Sequence, residues 1–210
     1  PIPKEEGSRA DATRPITVMS CIYRLWAGAR VGELIEWQAM WCTQHVTSYK
    51  PGQGCEDAWW AQALELEHAL LKGHPLAGAN VDFSKAFDRL PKEILLQLAE
   101  HTGMDPHILR ALRGMHSQLE RRFKLGPFGG KSFKATNGIM QGCPLSVILV
   151  SLMTNVWMYA VEAEVPGATP MGYADDIGAD APAPSIVECV VRLTEEFAEA
   201  TGQQLHTDKT

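Results

Sequence analysis

The sequence predicts an α+β fold, with helices packed on one face of a small, mainly antiparallel sheet. Segments with helical spacing of apolar residues alternate with few strand signals, the first of them near residues 78–83. A strand–turn–strand pattern follows later, around the adjacent acids Asp175 and Asp176. The 210 residues are 45% hydrophobic, which is ordinary for a globular protein with a core.

The first part of the chain is predicted to be helical. One helix is expected from Thr17 to about Gln44, and a second from Glu56 to about Lys72. A loop rich in helix breakers, residues 49–54, separates them, and Gly73 supplies a C-terminal cap for the second helix.

Two helices and a basic hairpin should follow the first strand. Pro91 fits the first turn of a helix to about Thr102, and Asp105-Pro106 starts another that runs to about Leu119. The chain then carries five basic residues and no acid over residues 121–134, with a hairpin-like turn at 126–130.

The last part of the chain contains a long apolar segment, residues 145–163. Polar side chains such as Ser151 and Asn155 interrupt it, which favours a buried core helix over a membrane span. A final helix is expected from Ser185 to about Ala200, with Ser185 and Glu188 as a capping box.

Three acids carry the strongest chemical signal. Asp175 and Asp176 lie at the turn of the predicted hairpin, and Asp82 lies at the end of the earlier strand. Adjacent carboxylates repel one another, and a divalent cation removes that penalty. Three carboxylates from two strand ends can hold two Mg²⁺ ions roughly 3.5–4 Å apart, an arrangement used for phosphoryl transfer.

Charge and cysteine content narrow the function. A net charge of −6 disfavours phosphate binding by the surface as a whole, so the basic run at 121–134 is the candidate for that role. The five cysteines are an odd number without a Cys-x-x-Cys pair, which indicates a reducing compartment rather than a disulfide scaffold.

Several segments together resemble reverse transcriptases. Four of them resemble the family's catalytic motifs in the family's order: residues 81–88, 137–146, 173–176 and 201–210. The Arg14-Pro15-Ile16 segment is similar to the arginine motif of the fingers. The loop at 49–52, followed by Glu56-Asp57-Ala58, is similar to non-LTR retrotransposon and group II intron enzymes.

The resemblance implies a right-hand polymerase made of fingers and palm. The fingers would occupy residues 1–77, the palm 78–119 and 139–210, and a basic hairpin between them 120–138. The family's thumb is expected after residue 210, outside these 210 residues, so this fragment is expected to polymerise poorly alone.

The resemblance also assigns the catalytic centre. Asp82 and Asp175 would be the main ligands of two Mg²⁺ ions, for which Mn²⁺ can substitute. The Phe83 carbonyl would complete one ion, and Asp176 would support the site. Lys209 matches the family's general acid towards pyrophosphate, although a frayed terminal lysine explains it equally well.

The incoming nucleotide has four implied contacts. Phe87 matches the steric gate that excludes a 2′-hydroxyl, although from pattern alone a core position fits it as well. Gln141 and Gly142 would line the nucleotide pocket, and Arg14 would contact the triphosphate. A solvated arginine remains the alternative for Arg14.

The implied partners are an RNA template with a DNA primer, dNTPs, and the missing thumb and flanking domains of a longer polyprotein. Basic side chains of the hairpin are candidate contacts to the template–primer backbone, with a solvated hairpin as the alternative: Arg121, Arg122, Lys124, Lys131 and Lys134. The expected location is intracellular, nuclear or cytoplasmic, without a membrane.

Two other functions stay open at this point. RNA-directed RNA polymerases share the palm acids, but they usually carry Gly-Asp-Asp and a polar residue for the ribose, where this chain has Ala174 and Phe87. A domesticated palm that serves as an RNA-binding or interaction module is the non-catalytic alternative, and the intact acids argue against it.

Overall fold

A computed structural model describes the backbone of residues 2–3 and 13–14 and all of residues 16–206. The helices are α1 Cys21–Trp41, α2 Cys55–Lys72, α3 Ala86–Arg89, α4 Lys92–His101, α5 Pro106–Gln118, α6 Ser146–Glu164 and α7 Pro184–Thr201. The strands are β1 Ile2–Pro3, β2 Thr13–Arg14, β3 Ala77–Val81, β4 Lys124–Leu125, β5 Phe128–Gly129, β6 Thr169–Tyr173 and β7 Asp176–Ala181.

The central sheet has the order β3–β7–β6 and is antiparallel throughout. The loop after α1 pairs with the outer strand β6. The Thr47 amide donates to the Gly172 carbonyl at 3.1 Å. The Gly172 amide donates back to the His45 carbonyl at 3.1 Å. The predicted α+β class with a small antiparallel sheet is confirmed.

Helix α6 forms the centre of the core, as the sequence predicted. Its length and composition would suffice to cross a membrane, yet 67% of its most apolar window is buried inside the protein. Its polar side chains bond to the end of α1 and the following loop. Ser151 Oγ lies 2.6 Å from Ser48 Oγ, and Asn155 Oδ1 accepts from the Thr43 amide at 2.9 Å.

Local signals placed most helix ends correctly. Gly73 closes α2 with φ 65°, and Asp105 caps α5 by accepting from the amides of His107 and Ile108. The capping box predicted at Ser185 and Glu188 is wrong. Helix α7 begins one residue earlier, with Pro184 in its first turn and no side-chain cap.

A buried basic cluster lies where α4, α5 and the root of the β4–β5 hairpin meet. Lys92 Nζ donates to the Ala135 carbonyl, and the Arg121 guanidinium donates to the Gly138 carbonyl at 3.0 Å. Burial, followed by the positive charges of Lys92 and Arg121, lowers the pKa of His116 to about 4. His116 is therefore neutral in the fold at pH 7.

The lowered pKa of His116 predicts that the protein loses stability at acidic pH because of this one side chain. An unfolded His116 takes up a proton near pH 6.5, whereas the folded one does so only near 4. The free energy of unfolding should therefore fall by about 3 kcal/mol as the pH drops through that window. Urea unfolding of His116→Gln should show a flatter pH dependence, and the exposed control His101→Gln should keep the full slope. Equal slopes in the two variants would contradict the shift.

Candidate active site

The three acids meet at one end of the sheet. Val81, the last residue of β3, pairs with Ile177, and Tyr173 pairs with Asp176 to close the β6–β7 hairpin. Asp82 directly follows Val81, and Asp176 directly precedes Ile177. Opposed residues on paired strands lie about 4.5–5.5 Å apart between Cα atoms. Residues more than ninety positions apart in sequence are thereby brought to one edge.

The turn that carries the acid pair is tight and strained. Ala174 adopts φ 56°, a left-handed conformation that costs a non-glycine residue about 1–2 kcal/mol. The hairpin also packs closely on α6: a Cβ at Gly172 would lie 2.6 Å from Met158 Cε. Close packing on one side and strand pairing on the other hold Asp175 at the tip.

Asp82 is positioned by the buried residues on either side of it. Val81 and Phe83 are 3% and 5% exposed, so alternation directs the half-buried Asp82 to the other face. Residues 204–206 run antiparallel beside it, with the His206 amide donating to the Asp82 carbonyl at 2.8 Å. In this non-hydrogen-bonded pairing of Phe83 with Leu205, the Phe83 carbonyl points away from Leu205.

The donor set at this edge consists of carboxylate and carbonyl oxygens, the ligands that Mg²⁺ prefers. Asp82 and Asp175 are half-buried, and Asp176 is exposed. Within residues 16–206, however, no group of three His, Cys, Asp or Glu side chains is arranged to hold a metal ion. The strand pairing nevertheless brings suitable oxygen donors to one edge of the sheet.

The loop at residues 137–145, called the pocket loop because it carries the predicted nucleotide contacts Gln141 and Gly142, packs against α3. The Ile139 amide donates to the Phe87 carbonyl at 2.8 Å, which joins the loop to α3. Gln141 Nε2 donates to Asp88 Oδ2 at 3.4 Å. Phe87 is half-buried and packs against the core. Gly142 is exposed with φ 92°, a conformation that favours glycine.

Two predicted site residues have side chains outside the described part of the structure. The side chain of Arg14 is not among the described atoms, although its backbone belongs to β2. Lys209 follows the described residues, three positions after His206. The structure therefore neither brings these two side chains to the acids nor separates them.

The predicted basic residues of the hairpin divide into two groups. Arg122, Lys124, Lys131 and Lys134 are exposed. Arg121 is half-buried, and its guanidinium donates to the carbonyl of Gly138 in the pocket loop. Arg121 therefore connects the hairpin to the pocket loop rather than extending into solvent.

Two features with a possible functional role were not predicted from the sequence. Asp88 holds Gln141, and its proximity to the pocket loop was not foreseen. In the hairpin, the rings of Phe123 and Phe133 stack on each other with centroids 5.2 Å apart. Aromatic residues interleaved with basic ones are a recognisable signal of this kind in nucleic-acid-binding segments.

Comparison with known proteins decides the family. The family described as "Reverse transcriptase (RNA-dependent DNA polymerase)" matches residues 2–210. The chain belongs to the reverse transcriptase family. A retrovirus-related Pol polyprotein from the type-2 retrotransposable element R2DM of Drosophila melanogaster is 23% identical over 218 residues. That match covers 99% of this reverse transcriptase chain and 20% of the polyprotein, and it confirms the predicted non-LTR type.

Solved structures share the fold of this reverse transcriptase chain. Apo telomerase from Candida tropicalis superposes with a TM-score of 0.61 at 15% identity, covering 89% of this chain and 36% of that one. Telomerase from Candida albicans, in complex with a TWJ fragment of telomeric RNA, gives 0.56 at 14% identity, with 90% and 33% coverage. The chain thus spans about a fifth of its curated relative and about a third of these structures.

The pocket loop offers a test of this packing at Gly138. Gly138 has φ 83°, and a Cβ there would lie 2.5 Å from the Asp88 carbonyl oxygen. Gly138→Ala should lower the free energy of unfolding by about 3 kcal/mol, through backbone strain and overpacking. Gly126→Ala is the matched control: its φ is 58° with no atom within 4 Å, so strain alone should cost about 1 kcal/mol. Equal losses in urea unfolding would disprove the close contact.

Proposed function

We propose that this chain is the core of an RNA-directed DNA polymerase that adds dNTPs to a primer 3′-hydroxyl. The main structural support is the pairing of β3 with β7, which brings Asp82 to the same edge of the sheet as Asp175 and Asp176. Membership of the reverse transcriptase family supports the same chemistry.

The acids hold the metal in this proposal. Asp82 and Asp175, with the Phe83 carbonyl, would bind two Mg²⁺ ions, and Asp176 would support them from the exposed start of β7. When bound, such ions activate the attacking hydroxyl and neutralise charge on the triphosphate and the leaving pyrophosphate. Mn²⁺, with the same preference for oxygen ligands, can substitute.

The neighbouring residues bind and orient the nucleotide. Phe87 would lie beneath the sugar, Gly142 would allow close approach of the backbone, and Gln141 is held in place by Asp88. Arg14 would contact the triphosphate through its guanidinium. Lys209 would donate a proton to the leaving pyrophosphate. The segment that leads to Lys209 runs directly beside Asp82, which supports this role.

The proposed partners are an RNA template and a DNA primer, within a longer polyprotein of a retroelement. Support comes from the related retrotransposon polyprotein, of which this chain spans a fifth, and from a telomerase solved with an RNA fragment. The proposed location is inside the cell, in the nucleus or cytoplasm.

Metal binding tests the role of the acids without requiring polymerisation. Mn²⁺ titrated into the chain and followed by electron paramagnetic resonance should bind. Asp82→Asn and Asp175→Asn should each weaken that binding by at least about tenfold, since each removes a charged ligand. Glu188→Gln, an exposed acid on α7, is the matched control and should bind as the wild type does. Wild-type affinity for Mn²⁺ in both aspartate variants would contradict the proposed metal site.

Sugar selection tests the role of Phe87. Primer extension with dNTP or rNTP should show wild-type preference for dNTP. Phe87→Ala should reduce that preference by about tenfold to a hundredfold, because the ring no longer excludes the 2′-hydroxyl. The control Phe128→Ala, at the exposed tip of the hairpin, should leave the ratio unchanged. Wild-type preference for rNTP would instead favour an RNA polymerase.

A further inference from the structure

The β4–β5 hairpin exposes apolar side chains that the core does not use. Phe123, Leu125 and Phe128 are 67%, 70% and 77% exposed. Apolar side chains exposed to this degree contribute little to folding stability, because most of their apolar surface remains in water. Their arrangement therefore points to a contact outside the chain.

The pairing register puts these side chains on one face. Near the tip, Leu125 pairs with Phe128 and Lys124 with Gly129. At the root, Arg121 pairs with Phe133, so the returning strand holds one residue more than the outgoing strand. This is a β-bulge, and a shift of one residue moves a side chain to the opposite face. Phe133 is thereby placed on the face of Phe123.

The bulge creates a stacked pair of rings. The centroids of Phe123 and Phe133 lie 5.2 Å apart with 23° between the ring planes, and Phe133 is 39% exposed. Two stacked rings at the surface can continue their stack with a further planar ring, and we call this ring pair the aromatic platform. Unpaired nucleobases stack on such platforms, with each stacked base contributing about 1–3 kcal/mol.

Basic residues lie along both strands of the hairpin that carries this platform. Arg122, Lys124, Lys131 and Lys134 are exposed, and none has an ion-pair partner among residues 16–206. Residues 121–134 contain no acid in a chain of net charge −6. A two-stranded ribbon is only about 5 Å across, so long basic side chains can reach around its edges.

We propose that the β4–β5 hairpin binds single-stranded nucleic acid, with bases on the Phe123–Phe133 platform and phosphates on the exposed cations of the same hairpin. A duplex fits less well, because its bases are already stacked on one another and cannot reach the rings. The inference rests on the proposed function for its biological sense, since it assigns the hairpin to the unpaired part of a template. Its physical test does not depend on polymerisation.

Fluorescence anisotropy with a labelled single-stranded RNA tests the platform. Measurements without dNTP or divalent metal keep the result independent of catalysis. The wild-type chain should bind the single strand more tightly than a duplex of equal length. Phe123→Ala and Phe133→Ala should each weaken single-strand binding by about fivefold to a hundredfold. Both rings are partly exposed, so circular dichroism should show the fold retained.

An abasic oligonucleotide of equal charge separates stacking from electrostatics. It should bind the wild type as weakly as the normal strand binds Phe123→Ala. Lys124→Gln should instead reduce the slope of log affinity against log salt by about 0.7 and keep the dependence on bases. Trp59→Ala, an exposed aromatic on the acidic helix α2, is the matched surface control and should bind as the wild type does.

Three results would overturn the inference. These are equal affinity for normal and abasic strands, tighter binding of duplex, or Phe123→Ala binding like the wild type. Self-association lost in Phe123→Ala, without base-dependent RNA binding, would assign the face to a second copy instead. Base-dependent RNA binding by a chain whose Asp82→Asn and Asp175→Asn variants still bind Mn²⁺ like the wild type would leave the hairpin assignment intact and remove only the proposed metal site.

Discussion

The antiparallel pairing of β3 with β7 is the constraint on which the candidate site depends. Because side chains alternate along a strand, a slip of one residue would turn Asp82 to the other face of the sheet. Ile177, Ala179 and Ala181 of β7 are all buried, which ties the register to the core. Glycines permit the close approach: a Cβ at Gly178 would lie 2.8 Å from the Ala79 carbonyl oxygen.

The elements around this pair of strands hold it in place from several sides. Helix α6 packs behind the β6–β7 hairpin and uses its polar side chains to fasten the loop after α1. That loop, in turn, pairs with the outer edge of β6 at Gly172. On the other side, the segment after α7 pairs with Phe83 through Leu205. The strained turn at Ala174 is thus supported by a rigid surrounding structure.

Much of the site followed from local sequence signals. The strand–turn–strand pattern around Asp175 and the strand ending at Asp82 were enough to predict that these acids share an edge. Helix α2 could be bounded because Gly73 marks its end unambiguously. Such signals succeed where a single residue type fixes the backbone, as glycine does in the left-handed region.

Other features could not be predicted because they arise from tertiary packing. Helix α3 has only four residues, too few to produce a helical period. The bulge in the β4–β5 hairpin shifts Phe133 by one register position, and no local sequence pattern predicts this bulge. The inward position of Arg121 depends on the Gly138 carbonyl, which is distant in sequence. The capping prediction for α7 failed because Pro184 began the helix one residue earlier.

Disulfide trapping tests the register of β3 on β7 most directly. Ala79 lies opposite Ala179, and residues opposed in this way are within range of a disulfide. After oxidation, mass spectrometry of Ala79→Cys with Ala179→Cys should find the two introduced thiols joined. Ala79→Cys with Asp180→Cys, shifted by one residue, should stay unlinked because its side chains lie on opposite faces. The reverse outcome would mean that the register is shifted by one residue, which turns Asp82 to the other face of the sheet relative to Asp175 and Asp176.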